Sequence, residues 1–161
     1  MTAADFLTPL LGLPPERAAG TFDALQGEWG VTLPEEYVDF GRAYGDATIT
    51  DFIFVCGPGT LAWYAENMGP RMERNPSVPG EVLPTEGGML LWGNTLEGDQ
   101  LFLVDQGDGR WTVSAFRRNW ADWYESDLTL LEWLRQALTG EIATDWLPEW
   151  PRRHTIEPAS G

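Results

Sequence analysis

The sequence predicts an α+β fold with a central, largely antiparallel sheet of about four to six strands and helices packed against it. Two short apolar runs, Met89–Trp92 and Leu101–Val104, flank a stretch rich in glycine, with asparagine and aspartate, which favours a turn. A second turn and the alternating run Trp111–Phe116 follow at once. These three strand candidates form a meander, and helical patterns on either side of it can cover its apolar face.

The segments before the meander predict four helices and one strand. The clearest helix begins at Pro34, carries two acidic residues in its first turn and ends at Gly45. These acidic residues favour the positive helix start, which makes them a device for helix initiation rather than a catalytic pair. β-branched and aromatic residues predict one strand over Ala47–Cys56. The remaining helices are expected over Asp5–Leu11, Thr21–Trp29 and Leu61–Met68.

After these helices the sequence predicts a long loop, a short edge element and one firm helix. Met72–Thr85 contains three prolines and few apolar residues, so we expect the longest loop there and a candidate contact surface. Arg117–Tyr124 follows the meander as the possible edge element. Thr129 and Glu132 have the spacing of a capping box, which predicts the start of a helix over Leu130–Leu138.

The length of 161 residues predicts one domain over residues 1–150, followed by a frayed tail at 151–161. Cys56 is the single cysteine and has no internal partner for a disulfide, so a reducing compartment is the simplest expectation. We find no basic segment ahead of an apolar run and no stretch long enough to span a membrane. A cytoplasmic monomer or weak homodimer is therefore expected.

Charge is the strongest compositional signal. The chain has 25 acidic and 10 basic residues, a formal net charge of −15 and a pI near 4.2. Such a field repels nucleic acid and anionic membranes and accelerates encounter with basic proteins. Acidity that serves solubility alone is the alternative at this point.

The residue types exclude most catalytic chemistry. All ten basic residues are arginine, so Schiff-base chemistry and lysine-dependent phosphate loops are absent. His154 is the single histidine, which leaves neither a catalytic triad nor a zinc site. Asp99, Asp105 and Asp108 lie on turns, but their spacing does not match a calcium loop. We therefore expect no enzymatic activity, no metal and no cofactor.

The order of motifs over roughly Thr21–Gly140 resembles the SUKH superfamily, named partly for yeast cell-wall-assembly regulators. A helix with Leu-Pro-Glu-Glu-Tyr, a strand, a loop, Leu-Leu-Trp-Gly-Asn-Thr, Gly-Asp-Gln-Leu, Trp-Thr-Val and a C-terminal helix follow one another. The matching positions are Pro34, Tyr37, Phe40, Gly45, Trp92, Gly93, Thr95, Gly98, Asp99 and Trp111.

The resemblance implies an α+β domain with a largely antiparallel sheet and no catalytic motif. Bacterial proteins of this kind most often act as immunity proteins that block a cognate toxin, frequently a nuclease with a basic surface, and a net charge of −15 suits that role. Other members are regulatory or scaffold proteins, and that alternative stays open. The carboxylates expected to bind a partner are Glu66, Glu73, Glu97, Asp99, Asp105 and Asp108.

Overall fold

The computed structural model describes residues 2–14, 20–142 and 145–159, and these form one antiparallel sheet with helices on both faces. The helices are α1 (Ala3–Leu11), α2 (Asp23–Trp29), α3 (Glu35–Tyr44), α4 (Leu61–Glu73) and α5 (Leu130–Thr139). The strands are β1 (Ala47–Ile49), β2 (Ile53–Val55), β3 (Leu90–Thr95), β4 (Gln100–Asp105), β5 (Trp111–Arg117), β6 (Asp122–Glu125) and β7 (Ile156–Pro158).

The sheet has the order β6-β5-β4-β3-β2-β1-β7, and every pair of neighbouring strands is antiparallel. This arrangement confirms the predicted α+β class, with seven strands in the described residues where about four to six were expected. The central meander β3-β4-β5 lies where the sequence predicted it, and the edge element after it is strand β6.

Successive side chains of the meander point to opposite faces of the sheet and belong to two apolar clusters, one on each face. Helices α1, α3 and α5 pack with the larger cluster, in which Trp92 of β3 meets Trp133 of α5 edge to face, with ring centroids 6.2 Å apart. Helix α4 and the loop after it cover the smaller cluster, which includes Leu91 and Phe102. Among the described residues, none of the helices is long and apolar enough to cross a membrane.

The segment Ala47–Cys56 forms the hairpin β1-β2 rather than the single predicted strand. Its turn residues, Thr50 and Asp51, have φ angles of 50° and 55°, and the backbone N–H of Phe52 bonds to the carbonyl of Ile49 at 3.0 Å. Two consecutive positive φ angles characterise a type I′ turn, which usually contains glycine or asparagine. The Thr-Asp pair lacks that sequence signature, so the hairpin was not predicted.

The prediction of a frayed tail at 151–161 is wrong for the part that the structure describes, which ends at residue 159. Strand β7 pairs with β1 and places Ile156 opposite Ile49. His154 anchors the segment, because its Nε2 lies 2.6 Å from the carbonyl oxygen of Leu138 and its Nδ1 lies 2.7 Å from Thr50 Oγ1. These partners are distant in sequence, which is why local periodicity did not reveal them.

Helix α4 extends to Glu73, beyond the predicted end at Met68. Pro70 lies within the helix, and the buried side chain of Met72 packs into the smaller apolar cluster. Burial of this side chain stabilises a last turn that local helix propensity disfavours. The loop predicted from Met72 therefore begins after the helix ends.

Candidate protein-binding surface

The six carboxylates expected to bind a partner do not form one cluster. Two lie on α4, two at the turn between β3 and β4, and two around the turn between β4 and β5. In that order they are Glu66 and Glu73, Glu97 and Asp99, and Asp105 and Asp108. The two turns lie at opposite ends of β4, which separates them by about 20 Å, so a single small site cannot contain all six.

The two carboxylates on α4 differ in their surroundings. Glu66 is exposed on the outer side of the helix, which also carries Trp63 with 64% of its surface exposed. Glu73 is exposed as well, but its Oε2 accepts hydrogen bonds from the backbone N–H of Val82 at 3.2 Å and from Thr85 Oγ1 at 3.4 Å. Glu73 therefore holds the following loop against the helix through hydrogen bonds, whereas the side chain of Glu66 is exposed to solvent.

Asp99 is only 1% exposed and belongs to the interior of the fold. Its Oδ2 accepts a hydrogen bond from Thr95 Oγ1 at 2.6 Å, and its Oδ1 accepts one from the backbone N–H of Arg118 at 2.9 Å. A buried carboxylate that is engaged in this way is not accessible to a partner protein. The expectation that Asp99 binds a partner is therefore wrong.

An acidic surface surrounds the turn between β4 and β5. Asp105 and Asp108 are exposed there, and a cavity of about 300 Å³ beside them is lined by Glu35, Glu36 and Arg110 among others. The start of α3 brings Glu35 and Glu36 to this end of the sheet, a juxtaposition that their position in the sequence did not reveal. We call these five residues the acidic end.

Glu36 also has a structural role within the acidic end. Its Oε1 accepts a hydrogen bond from the backbone N–H of Leu131 at 3.1 Å, in the first turn of α5. That turn contains the predicted capping box, in which the backbone N–H of Thr129 donates to Glu132. This bond lowers the pKa of the Glu132 carboxyl. Carboxylates thus stabilise the positive start of α5 from two elements.

A second surface lies at the opposite end of β4. A cleft of about 230 Å³ is lined by Phe52, Glu97, Trp120, Asp145 and Trp146, together with Asn119, Leu147 and Pro148. We call it the tryptophan cleft. Trp120 is 43% exposed, and Leu96, which directly precedes Glu97, is 66% exposed. Of the six carboxylates predicted to bind a partner, only Glu97 lines this cleft. The other lining residues were not predicted, and the fold brings them together from distant segments of the chain.

Arg117 forms a charged network at the tryptophan cleft. Its Nε and Nη2 bond to the two carboxylate oxygens of Asp122 at 2.8 and 2.6 Å, and its Nη1 lies 3.2 Å from Asp145 Oδ1. The hydrogen bond from Arg117 lowers the pKa of Asp122 and raises that of Arg117 itself. The guanidinium carbon also lies 4.9 Å from the centroid of the Trp120 ring, which is the geometry of a cation–π contact.

Few of the carboxylates are neutralised by arginine. The ion pairs within 4.0 Å in the described residues are Arg42–Asp39, Arg117–Asp122 and Arg117–Asp145. Most of the acidic charge therefore faces solvent without a close basic partner. Such a surface produces a negative field over a large part of the molecule.

The reactive side chains of the interior are poorly placed for chemistry. Burial raises the pKa of the Cys56 thiol to about 12, which keeps it protonated at neutral pH. Burial also raises the pKa of Tyr37, whose hydroxyl donates to the Cys56 carbonyl. In the ranges that the structure describes, no group of three or more histidine, cysteine or acidic side chains could hold a metal ion.

The chain was compared with protein families, curated proteins and solved structures. No family model, curated protein or solved structure matches it. The SUKH resemblance therefore rests on the motif residues themselves. In this structure several of them have packing roles: Trp92 lies in the main core, and Gly93 lies against the backbone of Phe54.

Proposed function

We propose that this chain is an immunity protein that binds a cognate basic toxin in the cytoplasm and neutralises it through acidic surfaces. The observation that carries the proposal is the excess of exposed carboxylates. The net charge is −15, and only three ion pairs form in the described residues, so most carboxylates have no close basic partner there. An acidic inhibitor is steered towards a basic enzyme and can occupy a groove that otherwise holds phosphates. The order of SUKH-like motifs supports the same role.

The proposal is tested by titrating the protein with the products of the genes encoded beside its own. Calorimetry at low and high ionic strength is expected to show one-to-one binding that weakens as salt screens the charges. The variants Asp108→Asn and Glu66→Gln should slow association, whereas the charge-conserving variants Asp108→Glu and Glu66→Asp should leave its rate unchanged. Binding that is absent for every neighbouring product, or that is insensitive to salt, contradicts the proposal.

A regulator or scaffold protein could use the same acidic surfaces on a housekeeping partner. Gene deletion separates the two functions. Loss of an immunity protein exposes the cell to its own toxin, so the deletion is expected to kill and a second deletion of the toxin gene to restore growth. A deletion strain that grows normally, or whose defect persists after the second deletion, favours regulation.

A further inference from the structure

We propose that the tryptophan cleft is the anchoring pocket of the binding surface and receives an arginine side chain of the partner protein. This inference rests on the proposed function, because it names the part of the acidic surface that holds the partner after encounter. Three features carry it: exposed apolar surface, exposed acidic charge and an internal example of the same contact.

The first feature is the concentration of exposed apolar side chains at this end of the sheet. Among the described residues, four large apolar side chains are exposed; one of them, Trp120, lines the cleft, and another, Leu96, directly precedes the lining residue Glu97. Binding energy at protein interfaces concentrates in a few residues, with tryptophan and arginine enriched among them. The cleft therefore offers an anchor that charge alone does not supply.

The second feature is the sign of the charge in the cleft. Glu97 and Asp145 line it, none of the arginines that the structure describes lines it, and the side chain of Asp145 is 71% exposed. Glu97 is exposed as well. Carboxylates beside an aromatic side chain favour a cation that is planar and weakly hydrated. A guanidinium group has these properties, whereas an ammonium group is compact and strongly hydrated. The partner chemistry that fits is accordingly an arginine side chain.

The third feature is Arg117, which makes the proposed type of contact within the chain. Its guanidinium carbon lies 4.9 Å from the Trp120 ring centroid, and its Nη1 lies 3.2 Å from Asp145 Oδ1. The paired bonds to Asp122 hold Arg117 independently, so Asp145 accepts only one hydrogen bond from it. A carboxylate has about four acceptor positions, and Asp145 therefore retains capacity for a second guanidinium.

The acidic end is less suited to anchoring. Arg110 lies among its carboxylates and lines the cavity there, and its Nη2 donates to the backbone carbonyl of Asp127. A cation of the chain itself thus lines that cavity, whereas Arg117 contacts Trp120 and Asp145 without lining the tryptophan cleft. We infer a division of roles in which the acidic end contributes to attraction at long range and the tryptophan cleft makes the close contact.

The experiment uses N-acetyl-arginine methylamide as the ligand and follows the indole N–H signals of the full chain by two-dimensional NMR. Addition of the arginine compound is expected to move the signals of Trp120 and Trp146, whereas the neutral citrulline counterpart leaves them in place. Trp120→Ala, followed through Trp146, and Asp145→Asn should each weaken binding about tenfold. Asp108→Asn at the acidic end, the matched control, should change it less than twofold.

The proposal is overturned if citrulline produces the same shifts, or if Trp120→Ala and Asp145→Asn both bind the arginine compound as the unmodified chain does. Repeating Trp120→Ala with a partner found beside the gene separates this inference from the proposed function. Salt-dependent partner binding that Trp120→Ala leaves unchanged removes the cleft proposal and retains the immunity role. If the cleft binds the arginine compound but no neighbouring gene product binds the protein, the cleft proposal is retained and the immunity role is removed.

Discussion

Asp99 joins two turns from a buried position at the end of the β3-β4 hairpin. Its carboxylate accepts from the Thr95 hydroxyl and from the backbone N–H of Arg118, while its own N–H donates to Thr95 Oγ1 at 3.2 Å. A buried acceptor in such a network stabilises the fold mainly because its removal leaves donors without partners. The side chain therefore determines turn geometry rather than partner choice.

Asp99→Ala is expected to lower the free energy of unfolding by about 2 kcal/mol, because the Arg118 N–H and the Thr95 hydroxyl lose their acceptor. Urea denaturation measures the change. The control is Asp108→Ala, an exposed carboxylate in the next turn, which should change stability by less than about 0.5 kcal/mol. Equal effects of the two substitutions would show that burial of Asp99 does not determine its role.

The pairing of β2 with β3 depends on a glycine, which lies beside a bulge in the pairing of β3 with β4. The register of β3 against β4 shifts between Leu91 and Gly93, so that the intervening Trp92 extends into the main core. Gly93 faces β2, and a Cβ atom at this position would overlap the carbonyl oxygen of Phe54. Close approach of two strand backbones thus requires the glycine.

Gly93→Ala is expected to destabilise the protein by about 3 kcal/mol, since the clashing atom belongs to the backbone of a central strand and cannot rotate away. Gly27→Ala is the matched control. Gly27 lies within α2 with no atom within 4 Å of a built Cβ, so alanine there should stabilise by about 0.5 to 1 kcal/mol. Thermal and urea unfolding of both variants measure the difference, and a tolerated Gly93→Ala would contradict the close pairing of β2 and β3.

The molecule as a whole carries a net charge of −15, and only three ion pairs form within the part of the chain that the structure describes. Carboxylates that repel one another destabilise the compact state, because folding brings them closer together. Dissolved salt screens this repulsion over about 8 to 10 Å at moderate ionic strength. Stability should therefore depend on salt even without a partner.

Raising NaCl from low concentration to about 0.15 M is expected to raise the midpoint of thermal unfolding, since screening weakens the repulsion between surface carboxylates. Differential scanning calorimetry measures the midpoint. A triple variant, Asp105→Asn, Asp108→Asn and Glu66→Gln, should show a smaller rise because fewer charges remain to be screened. A midpoint that falls with salt would indicate that attractive ion pairs outweigh repulsion.

Local sequence patterns predicted the elements whose stability is local. Thr129 and Glu132 marked the start of α5, and the alternation of Trp111–Phe116 marked β5. The hairpin turn at Thr50 and Asp51 was missed because its residues lack the usual signature of positive φ. Of the two surfaces, only the carboxylates on turns were predictable, since Trp120 and Asp145 reach the tryptophan cleft through contacts between distant segments.

By itself the sequence determined the fold class, the meander and the strong negative charge, because strand alternation, helix caps and composition act over short distances or over the whole chain at once. Only the tertiary structure decided that Asp99 is buried, that β7 completes the sheet and that Glu97 lines the same cleft as Trp120. Each of these outcomes depends on pairing and burial between residues far apart in the chain. Their free energies arise only when the whole domain is assembled.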